Sequence, residues 1–119
     1  MKWYHGTDKE SKENISEIGF IPRYGRFGKG SYFTNDKTEA EYFGETIITV
    51  DIADSNSVIN IYYPELAEIY PDLAIDEEEG VTDLERYITK ELNKKAVILT
   101  YASGEKELCV YDSSIINAI

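Results

Sequence analysis

Apolar and polar positions change period several times along this chain, and the changes divide it into short elements. Residues 2–5, Lys-Trp-Tyr-His, read as a short strand. From Asp8 to Ile18 the segment is polar, with Ile15 and Ile18 three apart, which predicts a small helix stopped by Gly19. The next eleven residues, Phe20 to Gly30, hold one proline and three glycines and predict an irregular loop. Ser31–Thr34 resumes as a strand. A short helix follows within 35–44, with Asn35 or Asp36 as its cap, Glu39 placed for a capping box and Gly44 as its stop.

Residues 46–52, Thr-Ile-Ile-Thr-Val-Asp-Ile, form a strongly β-prone run, and 57–63 form a second. Residues 64–80 are helical in composition but interrupted by Pro71 and closed by four consecutive acids at 76–79, which predicts a solvated insertion. Over 82–95 the pattern is an amphipathic helix with Leu84, Tyr87, Ile88 and Leu92 on one face. Two strands, 96–101 and 107–112, then close the chain around a hairpin-like turn at 102–106. With no internal repeat or linker, residues 1–119 are expected to form one α+β domain.

Charge narrows the partners. Asp and Glu number 23 against 12 Lys and Arg, a formal net charge of −11. A field of that sign repels phosphate backbones and disfavours direct nucleic-acid binding. It leaves a protein partner with a basic surface, or a small ligand drawn to a locally positive pocket. One cysteine, Cys109 in an apolar run, reads as a buried thiol, and a single His and a single Cys are too few for a zinc site. No apolar stretch approaches the roughly 18 residues of a membrane span, and the N-terminal residues lack the apolar core of a signal peptide. The expectation is a cytoplasmic protein without a membrane partner.

Three short pieces place polar groups at the edges of predicted strands: His5-Gly6-Thr7, the run Gly28-Lys29-Gly30-Ser31-Tyr32-Phe33-Thr34, and Glu107 at the head of Glu-Leu-Cys-Val-Tyr-Asp. Together with Ala40-Glu41-Tyr42 they occur in an order that resembles the ADP-ribosyltransferase superfamily. The likeness is to its His-Tyr-Glu branch, the diphtheria-toxin and poly(ADP-ribose) polymerase type. The resemblance implies a split β-sandwich of mostly antiparallel strands with short helices, NAD as substrate, no metal, and a triad of His5, Tyr32 and Glu107. Under it, the strand of residues 2–5 lies beside that of Ser31–Thr34.

Elementary chemistry assigns parts to the same residues. A flat nicotinamide ring is held between aromatic faces, which Tyr32 with Tyr42 or Phe43 could provide. Gly6 permits close approach of a carboxamide, and Thr7 and Ser31 add hydroxyls beside it. Arg23 and Arg26, near Lys29, make a positive loop for a diphosphate. Loss of nicotinamide develops positive charge on the ribose, as in glycoside cleavage, and the Glu107 carboxylate is the group to stabilise it. Glu105, two residues earlier, resembles the acid that engages the acceptor in the arginine-specific branch.

The expected function is thus a mono-ADP-ribosyltransferase modifying a protein target, in the manner of a toxin or a bacterial or phage effector against host defence. NAD hydrolysis without transfer uses the same site. The alternative from another class is a non-catalytic acidic decoy that covers a basic surface of a nucleic-acid-handling protein.

Overall fold

The N-terminal strand β1 runs over Trp3–Thr7 and ends where Asp8 caps the helix α1, Lys9–Ile18. The Asp8 carboxylate accepts from the Ser11 backbone N–H at 2.7 Å, and Gly19 ends the helix at φ +82°, a conformation only glycine adopts without strain. These values come from a computed structural model, which describes residues 1–69 and 83–118.

The loop expected over 20–30 is more ordered than its glycine content suggests. Arg23–Gly25 forms a strand, β2, paired in a tight antiparallel hairpin with β3, Gly28–Thr34. Phe27 at the turn is fully buried, and its burial anchors what the sequence presents as an irregular loop. The strand pattern follows the sequence closely thereafter. The helix α2 is Lys37–Glu41, capped by Asp36, whose carboxylate accepts from the Thr38 N–H. β4 is Thr46–Ile52 and β5 is Val58–Tyr62. A short helix α3 covers Leu66–Ile69, and α4 covers 83–86 and continues as a π-helical turn, Tyr87–Glu91. β6 is Ala96–Thr100 and β7 is Lys106–Val110. A last strand, β8 at Ile116–Ala118, is an addition that the short, half-polar end of the sequence does not signal. Pro71 and the acid run 76–79 lie outside the described residues.

The strands join in one sheet, in the order β5-β6-β7-β3-β1-β4-β8, with β2 attached to β3. All pairings are antiparallel except β5 with β6. The expected neighbour relation of β1 and β3 is present, but it rests on a single registered pair, Tyr4 with Thr34. The fold is therefore α+β with a mixed, curled sheet rather than two separately hydrogen-bonded sheets. The weak β1–β3 seam is where the sheet turns over.

Two apolar clusters explain the curl. On one face Trp3, Ile48 and Val50 from β1 and β4 pack on Phe33, Ala96, Leu108 and Val110, so the β1-β4 limb folds over the β3-β7-β6 limb. On the other face Val97, Leu99 and Cys109 meet Phe27, Leu66, Leu84 and Ile88, so α4 and the hairpin turn cover it. β6 is thus buried on both sides, which its unbroken apolar run Ala96–Leu99 requires.

Short aspartate caps recur. Asp8, Asp54 and Asp112 each open a helical turn, and each carboxyl is held below the usual aspartate range. For Asp8 and Asp112 the main cause is a backbone N–H donated by Ser11 or Ser114, and for Asp54 it is the Ser57 hydroxyl. A carboxyl lowered by folding stabilises the native state above its unfolded pKa, and that contribution disappears as pH falls through the folded value. Melting temperature is accordingly expected to fall between pH 5 and 3 by more in the wild type than in an Asp8→Asn, Asp54→Asn, Asp112→Asn triple variant. Asparagine keeps the cap and removes the titration. Parallel curves for the two proteins would show that the caps carry none of the acid sensitivity.

Candidate functional site

The seam between β1 and β3 opens onto a cavity of about 550 Å³, a size typical of small-molecule sites. Its walls come from four places: Tyr4, His5 and Gly6 of β1, Tyr32–Thr34 of β3, Ala40 and Phe43 at the end of α2, and Tyr101 to Glu107 around the β6–β7 turn. The three residues singled out from sequence, His5, Tyr32 and Glu107, all line it. They are brought together because β3 pairs with β1 on one side and β7 on the other, with Thr34 opposite Glu107.

His5 is fixed from both sides. Its Nδ1 lies 2.8 Å from the Tyr32 carbonyl oxygen. A carbonyl only accepts, so Nδ1 carries the proton, and in the neutral ring Nε2 is the nitrogen that can accept from a hydroxyl. The ring packs edge-on against Phe20 and tilted against Phe33, with centroids 5.5 and 5.7 Å away.

Tyr32 is fixed at its hydroxyl. Its hydroxyl donates to the Gly28 carbonyl at 2.5 Å and accepts from the Phe27 N–H at 3.0 Å. Burial foremost pushes this phenol well above the usual tyrosine range, with Cys109 adding to the effect. Gly25 has no room for a side chain because the Tyr32 ring occupies it, at 2.6 Å from where a Cβ would sit. Tyr32 thus braces the β2–β3 hairpin while one part of it faces the cavity. Its neighbour Cys109 is buried, and burial raises its thiol to about 12, so it is inert as a nucleophile.

Glu107 accepts a hydrogen bond on Oε2 from the Tyr101 hydroxyl at 2.8 Å. Behind Tyr101 lies Tyr63, with ring centroids 4.9 Å apart, and over Tyr63 lies the Arg26 guanidinium at 5.1 Å. Arg26 also donates to the Tyr63 hydroxyl. Glu105 sits in the turn before β7 and lines the same cavity. Its carboxyl is raised above the usual range by partial desolvation first, then by the negative charges of Glu39, Asp36 and Glu107.

The remaining sequence candidates are distributed differently. Phe43 lines the cavity, whereas Tyr42, 81% exposed, does not. Gly6 is in the wall, but a Cβ there would meet the Ala40 carbonyl oxygen at 1.7 Å, so its first duty is to admit α2. Thr7 ends β1 beside Gly44 and is not part of the lining. The two arginines are separated: Arg26 is engaged with Phe27 and Tyr63, while Arg23 borders a second cavity of about 300 Å³. That cavity lies between α1 and β3 and shares His5 and Tyr32 with the first. Ser31 also lines it, 5% exposed, with a hydroxyl that has no hydrogen-bond partner among the described residues.

Sequence reasoning missed Tyr101 and Tyr63. The available signal was tyrosine abundance, ten in 119 residues, together with Tyr101 standing just past the end of β6, across a short turn from β7, the strand that carries Glu107. Among the described residues no three His, Cys, Asp or Glu side chains are grouped to hold a metal ion, and no helix is long and apolar enough to cross a membrane.

No protein-family model matches the chain, and no curated protein matches it. Among solved structures it is similar to an anti-CRISPR protein, with 18% sequence identity and a TM-score of 0.51. The similarity covers all of this chain and 95% of the other, so the likeness in fold is not confined to one part of either.

Proposed function

We propose that this chain is an effector against host defence that acts on a protein partner, and that it does so by mono-ADP-ribosyl transfer from NAD. The observation that carries the reading is the convergence of His5, Tyr32 and Glu107 from three strands onto one cavity. The resemblance to the His-Tyr-Glu branch names these residues.

The chemistry asked of each residue is modest. Nicotinamide and its ribose occupy the cavity beside Phe43, and His5 accepts from a ribose hydroxyl through Nε2. The adenine end extends into the second cavity, where Arg23 and the unpartnered Ser31 hydroxyl await polar groups. The C1′–N bond breaks with its electron pair leaving on nicotinamide. Glu107 stabilises the positive charge left on the ribose, and a nucleophile of the target closes on C1′ and releases its proton to solvent. Water in place of that nucleophile gives NAD hydrolysis.

The test is thermal. A ligand that binds only the native state raises its stability, by about 1.4 kcal/mol at ten times its Kd, or roughly 5 °C for a chain of this size. NAD is expected to produce such a shift, and Phe43→Ala, which removes a 76% exposed ring, to diminish it without changing the melting temperature of the free protein. Incubation with labelled NAD and host lysate then distinguishes transfer from hydrolysis.

A second reading, one that needs no NAD, is favoured by a separate observation, the likeness to an anti-CRISPR protein. In it the acidic surface occupies a basic site on a nucleic-acid-handling protein and the cavity is incidental. A melting temperature unmoved by millimolar NAD would decide for this reading.

A further inference from the structure

A ring-and-hydroxyl series runs from Arg26 through Tyr63 and Tyr101 to Glu107 at the cavity wall, and the triad reading leaves Tyr63 and Tyr101 unused. We infer that Tyr101 is a positioning residue for Glu107: it holds one carboxylate oxygen so that the other is presented to the substrate ribose. The inference rests on the transferase reading above and extends it to a residue that the motif comparison did not single out.

The geometry is specific. Tyr101 follows β6 immediately, and the turn after it is closed by two backbone bonds, Tyr101 N–H to the Glu105 carbonyl and Gly104 N–H to the Tyr101 carbonyl, both 2.9 Å. The turn therefore fixes the Tyr101 backbone relative to β7. Its ring is fixed separately, by Tyr63 at 4.9 Å, and Tyr63 is in turn held under Arg26. With both ends set, the hydroxyl has one acceptor, Glu107 Oε2 at 2.8 Å. Among the described residues no hydrogen bond reaches Oε1. A glutamate has three side-chain torsions to immobilise, and a donor on one oxygen restricts them while leaving the carboxylate its charge. Preorganisation of that kind matters most in the transition state, where positive charge passes from the nicotinamide ring to the ribose, and less in the ground state, where the ribose itself is neutral. Burial, followed by the Glu107 hydrogen bond, raises the Tyr101 phenol above the usual tyrosine range, in keeping with its place as the donor of this hydrogen bond.

Tyr101→Phe keeps the ring against Tyr63 and removes only the hydroxyl. Nicotinamide release from NAD is measured with rates expressed per NAD-binding site, so that unfolded protein does not count as lost turnover. The expected result is a kcat about tenfold lower with KM for NAD within about twofold of wild type. In a Glu107→Gln background the same change is expected to have almost no further effect, because the oriented charge is already absent. A Tyr101→Phe enzyme with wild-type kcat overturns the assignment while leaving the transferase reading in place. An equal loss in both backgrounds also overturns it, since that marks a purely structural role. A wild type that releases no nicotinamide overturns the transferase reading and this inference together.

Discussion

Glu107→Gln is expected to lower nicotinamide release from NAD by about 100-fold, or about 2.7 kcal/mol of transition-state stabilisation, while NAD still raises the melting temperature. Glutamine fits the same volume, and its amide oxygen can still accept from Tyr101. What is lost is the negative charge, and under the proposed chemistry that charge acts on the ribose only as the C1′–N bond breaks. Hydrolysis and protein labelling should therefore fall by the same factor, because both follow the same bond cleavage. The position of Glu107 supports a large effect: it is partly buried on the wall of the cavity, where a carboxylate is screened less than at the open surface. Wild-type release by the variant would mean that the cavity does not perform this chemistry. If the wild-type protein itself neither binds NAD nor releases nicotinamide, the acidic-decoy reading is the one that remains.

The elements of this fold were legible wherever local chemistry alone sets them. Asp8 and Gly19 bound α1 because a carboxylate cap and a left-handed glycine act within one turn. β4 reads directly from seven β-prone residues, Thr46–Ile52. What the sequence concealed depends on distant packing. The 20–30 segment becomes a hairpin because Phe27 is buried against Leu84 and Ile88, some sixty residues away, and because its Lys29 N–H donates to Glu85. β8 exists because β4 offers an edge to a three-residue segment with no propensity signal of its own. The candidate site shows the same division. The motifs named His5, Tyr32 and Glu107, but composition could not reveal that Tyr32 is tied to the hairpin. Nor could it show that Arg23 and Arg26, three residues apart, face different parts of the molecule, or that Tyr63 backs Tyr101. Pairwise geometry of this kind is set by register and by curl, neither of which a linear motif encodes.

Gly6→Ala is expected to destabilise the protein by about 3 kcal/mol, roughly 12 °C in melting temperature, whether or not NAD is present. From sequence, the glycine after His5 suits close approach of a ligand. The structure gives it a prior obligation: a Cβ at Gly6 would stand 1.7 Å from the Ala40 carbonyl oxygen and 3.3 Å from the Gly44 nitrogen. Both are backbone atoms, so no side-chain rotation relieves the clash, and α2 must move away from β1. Gly44 mirrors the arrangement, since its Cβ would meet the Thr7 carbonyl oxygen at 2.3 Å, and Gly44→Ala should behave alike. Gly19→Ala is the control. No heavy atom lies within 4 Å of its Cβ position, and only the strain of φ +82° opposes the change, at about 1 kcal/mol. Because Ala40 and Phe43 form the α2 wall of the cavity, displacing α2 also deforms the candidate site, so the NAD-induced shift should shrink in the same variant. The two duties of Gly6 separate in the free protein. A Gly6→Ala variant that melts at the wild-type temperature and has merely lost its response to NAD would assign the glycine to ligand approach alone, whereas early melting without ligand assigns it to the packing of α2 on β1.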